Sequence, residues 1–160
     1  MTSDSRSRRI IVGHEETPFP VRDAVTPPPP PDSRWLRTPV RAFMRPGVVT
    51  LAEDASLHQV LRAMSAHGVH AVLITAVGGP IGWITAAGLV PWLAKEPALY
   101  SAGAAISEKV VYITPGAPAA EALRALAEPG ISHLVVSPRA AESPQGVVSE
   151  IDLVRLASGG

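Results

Sequence analysis

Ser149 and Asp152 are the pair in this 160-residue chain whose types and spacing could do chemistry. They follow the apolar run Gly146-Val147-Val148, which reads as a buried strand. A helix opening at Ser149 would bring its hydroxyl and the Asp152 carboxylate to one first turn. Such a pair can close a capping box, the hydroxyl accepting from an orphan helix amide and the carboxylate reaching back. It can also hold a polar ligand, and Gly146 would leave the strand open to its close approach. The pattern occurs earlier, altered, as Gly82-Trp83-Ile84-Thr85-Ala86-Ala87-Gly88, where the hydroxyl is kept and glycine replaces the carboxylate.

The elements that must position these residues repeat as well. Val48-Val49-Thr50-Leu51 predicts a short strand. Ser56 caps a helix with Leu57, Val60, Leu61 and Met64 on one face, ended by Gly68. Ala71–Ile74 and Ile81–Ile84 predict a hairpin across Gly78-Gly79-Pro80. Thr85 opens a second helix carrying Leu89, Val90, Trp92 and Leu93, and Pro91 predicts a kink or an early end. Sliding the chain on itself so that Val49 falls on Val111 also lays Leu61 on Leu123, Arg62 on Arg124, Gly68 on Gly130 and Val69 on Ile131. After a longer hairpin loop, Gly82 falls on Gly146 and Thr85 on Ser149. One strand–helix–strand–strand–helix unit of roughly fifty residues is too small to bury its own sheet face. Two units packed face to face about a pseudo-twofold axis would close a common core.

Composition narrows the class. Nearly half the residues are apolar and the net formal charge is zero, as expected of a soluble globular protein. No apolar run is long enough to span a membrane, and a secretory signal segment is absent from the first residues. Without cysteine there is no disulfide framework, thiolate metal site or cysteine nucleophile, which fits a reducing cytoplasm. The segment from Met1 to Pro46 is mildly basic and the remainder mildly acidic, so a nucleic-acid role is not expected. Residues 1–33 predict a disordered tail: the Pro27–Pro31 run favours polyproline II, either as a spacer or as an SH3-type ligand. Ile10-Ile11-Val12 is a brief apolar island that could dock as an edge strand.

Taken together, these residues resemble a tandem pair of CBS domains, the Bateman module. Phe43-Met44-Arg45-Pro46 resembles the family's leading turn. Gly68–Leu73 and Gly130–Val135 resemble its two central strands, and Gly146-Val147-Val148-Ser149-Glu150-Ile151-Asp152 matches its closing motif in full. The resemblance covers about Val40 to Ala157. It implies an α+β fold of two βαββα repeats, at 34–98 and 99–160, in a stand-alone protein. It also implies a regulatory or sensor function: binding of an adenosine-containing ligand (AMP, ADP, ATP or S-adenosylmethionine) in the cleft between the repeats, with no catalytic cofactor.

Carried over residue by residue, the resemblance places Ser149 and Asp152 on the ribose hydroxyls. Arg45, Val48, Val69, His70 and Ala71 would line the base, with His133 or Ser132 toward the phosphates. The amide end of the last helix would favour a phosphate. A second cleft would use Thr85, Ser107, Ile131, Ser132 and His133. There Gly88 stands where the ribose aspartate belongs. Losing hydrogen bonds to a charged acceptor costs about 1.5–3 kcal/mol, roughly ten- to a hundredfold in affinity, so that cleft is expected to be weak or empty. Arg45 is the one nearby cation, which favours AMP or S-adenosylmethionine over ATP.

Each residue also has a plainer role. Strand histidines such as His70 and His133 commonly satisfy local hydrogen bonds, and neither has metal-pair spacing. Arg45 can be a solvated turn charge, and Trp35, Trp83 and Trp92 packing residues. No Ser-His-Asp order, phosphate loop or metal cluster is present, so an enzyme is not expected. The alternative function is a ligand-free scaffold for dimerisation and interaction. Family pairs commonly form disc-like dimers, so a homodimer is expected, with a regulated protein partner and no membrane association.

Overall fold

The computed structural model describes residues 32–140 and 142–159. The first repeat runs β2 (Thr50–Ala52), α1 (Leu57–His67), β3 (Ala71–Ala76), β4 (Gly79–Thr85) and α2 (Ala86–Leu89), preceded by a two-residue strand β1 (Arg45–Pro46). The second runs β5 (Tyr112–Ile113), α3 (Ala119–Leu126), β6 (His133–Val136), β7 (Gly146–Ser149) and α4 (Glu150–Ala157). The predicted order of elements therefore holds in both halves. The first strand begins later than its apolar run suggests, at Thr50, because Val48 and Val49 are the approach to the sheet.

Local chemistry explains the helix boundaries. The Ser56 hydroxyl accepts from Gln59 N–H at 3.2 Å, and the Gln59 side chain accepts from Ser56 N–H at 2.8 Å, which closes a capping box. Gly68 ends α1 at φ 61°, in the left-handed region where a Cβ is penalised. The helix opened by Thr85 stays α-helical only to Leu89 and then tightens into a 3₁₀ turn over Val90–Trp92, because Pro91 has no amide to donate.

The strands form two sheets, ordered β2-β3-β4 and β1-β7-β6-β5. Within each repeat the outer strand is parallel to the central one, and the hairpin is antiparallel. β1 does not join the sheet of its own repeat. It pairs antiparallel with β7, Arg45 opposite Val147 and Pro46 opposite Gly146. The second repeat reciprocates: Glu108 bridges Trp83 on β4. Each repeat thus lends its leading segment to the sheet of the other, as a pseudo-twofold relation requires.

This exchange corrects one expectation. The space above Gly146 admits the leading strand and not a ligand: a Cβ there would stand 2.5 Å from the Arg45 carbonyl oxygen and 2.9 Å from Met44 Sδ. Gly82 plays the same part beneath Ile106 and Glu108.

Three apolar clusters hold the fold. One is centred on each repeat: Leu57, Val60, Val72, Ile74 and Ile84 in the first, and Ala122, Leu134, Val136 and Val148 in the second, where Val40 of the first repeat's leading segment joins them. The third joins the two sheets, with Ala71, Leu73, Trp83 and Val135 at its centre and Val48, Val110, Tyr112 and Val147 around it. Fully burying a Leu- or Val-sized side chain contributes about 1.5–3 kcal/mol, so either repeat alone would forfeit this layer. Trp83 is at its heart, Trp35 packs on the second-repeat core, and Trp92 meets Tyr100 edge-on at 5.1 Å. Most of the predicted disordered tail, including Ile10–Val12 and Pro27–Pro31, lies outside the described residues. Its last two residues do not: Ser33 opens a 3₁₀ turn, Ser33–Arg37, with Asp32 accepting from Arg34 N–H.

Candidate functional site

A cavity of about 670 Å³ opens where the two sheets, the leading segment and the starts of α2 and α4 meet. Its volume falls within the range of small-molecule sites. The apolar wall is Val48, Val49, Val69, Ala71 and Val147, backed by Trp83. The polar rim includes Arg45, His70, Thr85, Glu108, Ser132, His133, Ser149 and Glu150.

The structure brings most of the candidate residues together, in a different grouping from the one expected. Arg45, Val48, Val69, His70, Ala71, His133 and Ser149 line this cavity. Thr85 and Ser132, assigned to a second cleft, line the same one. Ile131 is instead buried in the core of the second repeat. Ser107 and Gly88 lie outside the cavity wall, packed against each other, and a Cβ at Gly88 would collide with the Ser107 hydroxyl.

Asp152 also lies outside the cavity wall, and its carboxylate is fully engaged. Oδ2 accepts from Ser149 N–H and from the Ser149 hydroxyl, both at 2.8 Å. Oδ1 accepts from Arg45 Nε–H at 3.0 Å, and a guanidinium nitrogen of Arg155 stands 3.9 Å away. Asp152 borders a smaller depression with Ala42, Phe43, Arg45, Arg155 and Leu156. Arg45 borders both spaces and so stands between the cavity and the carboxylate. A ribose approaching Asp152 would have to take Oδ1 from Arg45.

In the first repeat a different residue completes the helix start. Thr85 N–H donates to Ser107 Oγ at 3.1 Å, and Gly88 N–H donates to Thr85 Oγ1 at 3.0 Å. Ser107 thus supplies the acceptor that Asp152 supplies in the second repeat. The missing carboxylate at Gly88 is matched by a small partner across the repeat boundary.

Sequence reasoning missed several lining residues, among them Val49, Val147, Glu150 and, most important for the polar rim, Glu108. Its carboxylate accepts from Ser132 N–H at 3.1 Å and from the Ser132 hydroxyl at 2.5 Å. Ser132 Oγ is in turn 2.7 Å from His133 Nδ1. In sequence, Glu108 belongs to no apolar pattern or cap that would mark it. The signal was the repeat alignment: Glu108 takes the place of Pro46 in the leading turn. His133 stacks at a tilt against Trp83, ring centroids 5.3 Å apart. Burial pushes its pKa below the usual imidazole value; Glu108 and Glu150 oppose the shift. The Trp83 Nε1–H is itself shielded from solvent and has no hydrogen-bond partner among the described residues.

Two βαββα units with exchanged leading strands, closed around a shared cavity, define a tandem-repeat architecture. The sequence profile of the CBS domain matches residues 40–95 and 102–159, and the chain belongs to that family. No curated protein matches the chain. Among solved structures, the CBS domain of a bacterial CNNM/CorC family Mg2+ transporter, in complex with an inhibitor, is similar at 21% identity. Its TM-score is 0.68 over 79% of each chain. The same transporter domain in complex with ATP is 19% identical, with a TM-score of 0.67 over 78% of this chain and 90% of that one. A CBS domain pair in complex with 5′-methylthioadenosine and S-adenosyl-L-methionine is 19% identical, with a TM-score of 0.66 over 76% of this chain and 97% of the other. Among the described residues, no helix is long and apolar enough to cross a membrane, and no three metal-ligating side chains gather.

Proposed function

We propose that this CBS pair is a regulatory module that binds an adenosine-containing ligand in the cavity between its repeats. The cavity carries the reading: an apolar slot of Val48, Val69, Ala71 and Val147 suits a flat base, and Ser149 and Thr85 offer hydroxyls at its rim. The structural relatives solved with ATP and with S-adenosylmethionine support an adenosyl ligand. Residues 34–98 and 99–160 act as the two repeats, and Asp152 holds the ribose once Arg45 releases it. The module senses and does not catalyse, and works in the cytoplasm on a protein partner. It works as a homodimer: Val90 and Val154, equivalent in the two repeats, are 62% and 60% exposed and offer matching apolar faces.

One observation favours the second reading, a ligand-free scaffold: Arg45 already satisfies the ribose-seeking carboxylate. Thermal shift separates the two. Adenosine, AMP, ATP, 5′-methylthioadenosine and S-adenosylmethionine are each added to the full chain, and a ligand of the native state raises the melting temperature. No rise with any of them leaves the scaffold. Light scattering on Val90→Glu and Val154→Glu tests the dimer, which these variants should split.

A further inference from the structure

We propose that the Glu108–Ser132–His133 chain decides which adenosyl compounds the cavity accepts: those with a neutral or cationic 5′ substituent, not those with a di- or triphosphate. The inference rests on the adenosyl reading above and adds the class of the tail.

Hydrogen-bond logic sets the character of this wall. The Glu108 carboxylate is held at both oxygens by Ser132, through its amide and its hydroxyl. Swinging away would strand the Ser132 N–H. Having given its proton to Glu108, Ser132 Oγ accepts from His133 Nδ1–H. The imidazole is then the Nδ1–H tautomer, and its Nε2 carries a free lone pair. The packed Trp83 ring limits the turning of the imidazole. This wall therefore offers acceptors, a fixed carboxylate and a bare ring nitrogen. Acceptors suit N–H groups and positive charge, and they repel phosphate oxygens.

The charge balance of the cavity points the same way. Arg45 is the one lysine or arginine among its lining residues: paired with Asp152 it is neutralised, and once released to the ligand it is a single guanidinium against two lining carboxylates, Glu108 and Glu150. In either state the lining carries more negative than positive charge. A polyphosphate would bring its charge into an uncompensated negative field, whereas a thioether or a sulfonium would not.

Calorimetry of the full chain with 5′-methylthioadenosine, S-adenosylmethionine, AMP, ADP and ATP tests this. Affinity should fall as phosphates are added, with ATP at least about tenfold weaker than 5′-methylthioadenosine. Glu108→Gln keeps the shape and removes the charge. It should strengthen ATP about tenfold while changing 5′-methylthioadenosine by less than about threefold. Ser132→Ala, which unclamps Glu108, should move ATP in the same direction by less. Wild type alone gives an independent readout, because added salt screens repulsion and should tighten ATP. The proposal is overturned if wild type binds ATP as tightly as 5′-methylthioadenosine, if Glu108→Gln leaves ATP unchanged, or if salt weakens ATP. If no adenosine compound binds at all, the adenosyl reading itself fails, and the inference falls with it.

Discussion

Arg45 Nε–H donates to Asp152 Oδ1 at 3.0 Å across the boundary between the repeats, and the equivalent residues of the other half, Ser107 and Gly88, are both small. The two pairs are alternative solutions to one problem. A helix start at the cavity rim needs an acceptor for the backbone amide of its cap, Ser149 or Thr85. In one half a carboxylate from the same helix provides it, with a guanidinium to balance the charge. In the other half a hydroxyl from the opposite repeat provides it, and the helix must be glycine to make room.

Asp152→Ala tests the charged solution. It removes the acceptor of Ser149 N–H and leaves Arg45 without its partner. The lost cap costs about 1 kcal/mol, and loss of the ion pair adds to it, partly screened because the Arg45 side chain is 43% exposed. Denaturant melts should report this destabilisation. Calorimetry on the folded variant should show adenosyl affinity down about ten- to a hundredfold. Unchanged binding would mean that Asp152 does not reach the ligand.

A double-mutant cycle tests whether the pairs are interchangeable. Gly88→Asp alone should destabilise by about 1–2 kcal/mol, since its Cβ meets Ser107, which stands where Asp152 has Arg45. Adding Ser107→Arg should recover part of that loss, with a coupling of at least about 0.5 kcal/mol. Strictly additive melts would show that the correspondence is only geometric.

The strand exchange can be broken at one atom. Gly146→Ala drives a methyl group into the Arg45 carbonyl and the Met44 sulfur. We expect a loss of about 1–3 kcal/mol, with faster amide exchange in β1, since pairing with β7 is its anchor. Wild-type stability for this variant would contradict the packing described above.

Acid should loosen the fold through His133. Its folded pKa is depressed, chiefly by burial, so the unfolded chain binds a proton more readily. The contribution is present in full above the unfolded value near 6.5. It is lost as pH falls below that value and through the lower folded one. Thermal melts taken from pH 7 down to about 5, above the range of ordinary carboxylates, should show a falling melting temperature. His133→Gln should flatten that slope. An equally steep slope in the variant would assign the effect elsewhere.

Much of the fold was legible along the chain because it is built from interactions between near neighbours. Ser56 and Gln59 cap α1 across one turn, Gly68 ends it with its own backbone, and Pro91 interrupts the next helix by lacking an amide. Repetition of those local signals was enough to show two equal units and, from their size, that they must share a core. The contents of the site were decided elsewhere. Arg45 and Asp152 are separated by 107 residues, and Glu108 reaches Ser132 and Trp83 only because the leading segments change sheets. No periodicity or cap encodes that exchange; it follows from the register in which two twisted sheets bury Leu73, Trp83 and Val135 between them. Sequence alone therefore determined that a hydroxyl and a carboxylate begin the last helix. Tertiary packing decided that Ser149 lines the cavity while Asp152 lies outside its wall, that an arginine holds the carboxylate, and that a loop glutamate became part of the wall.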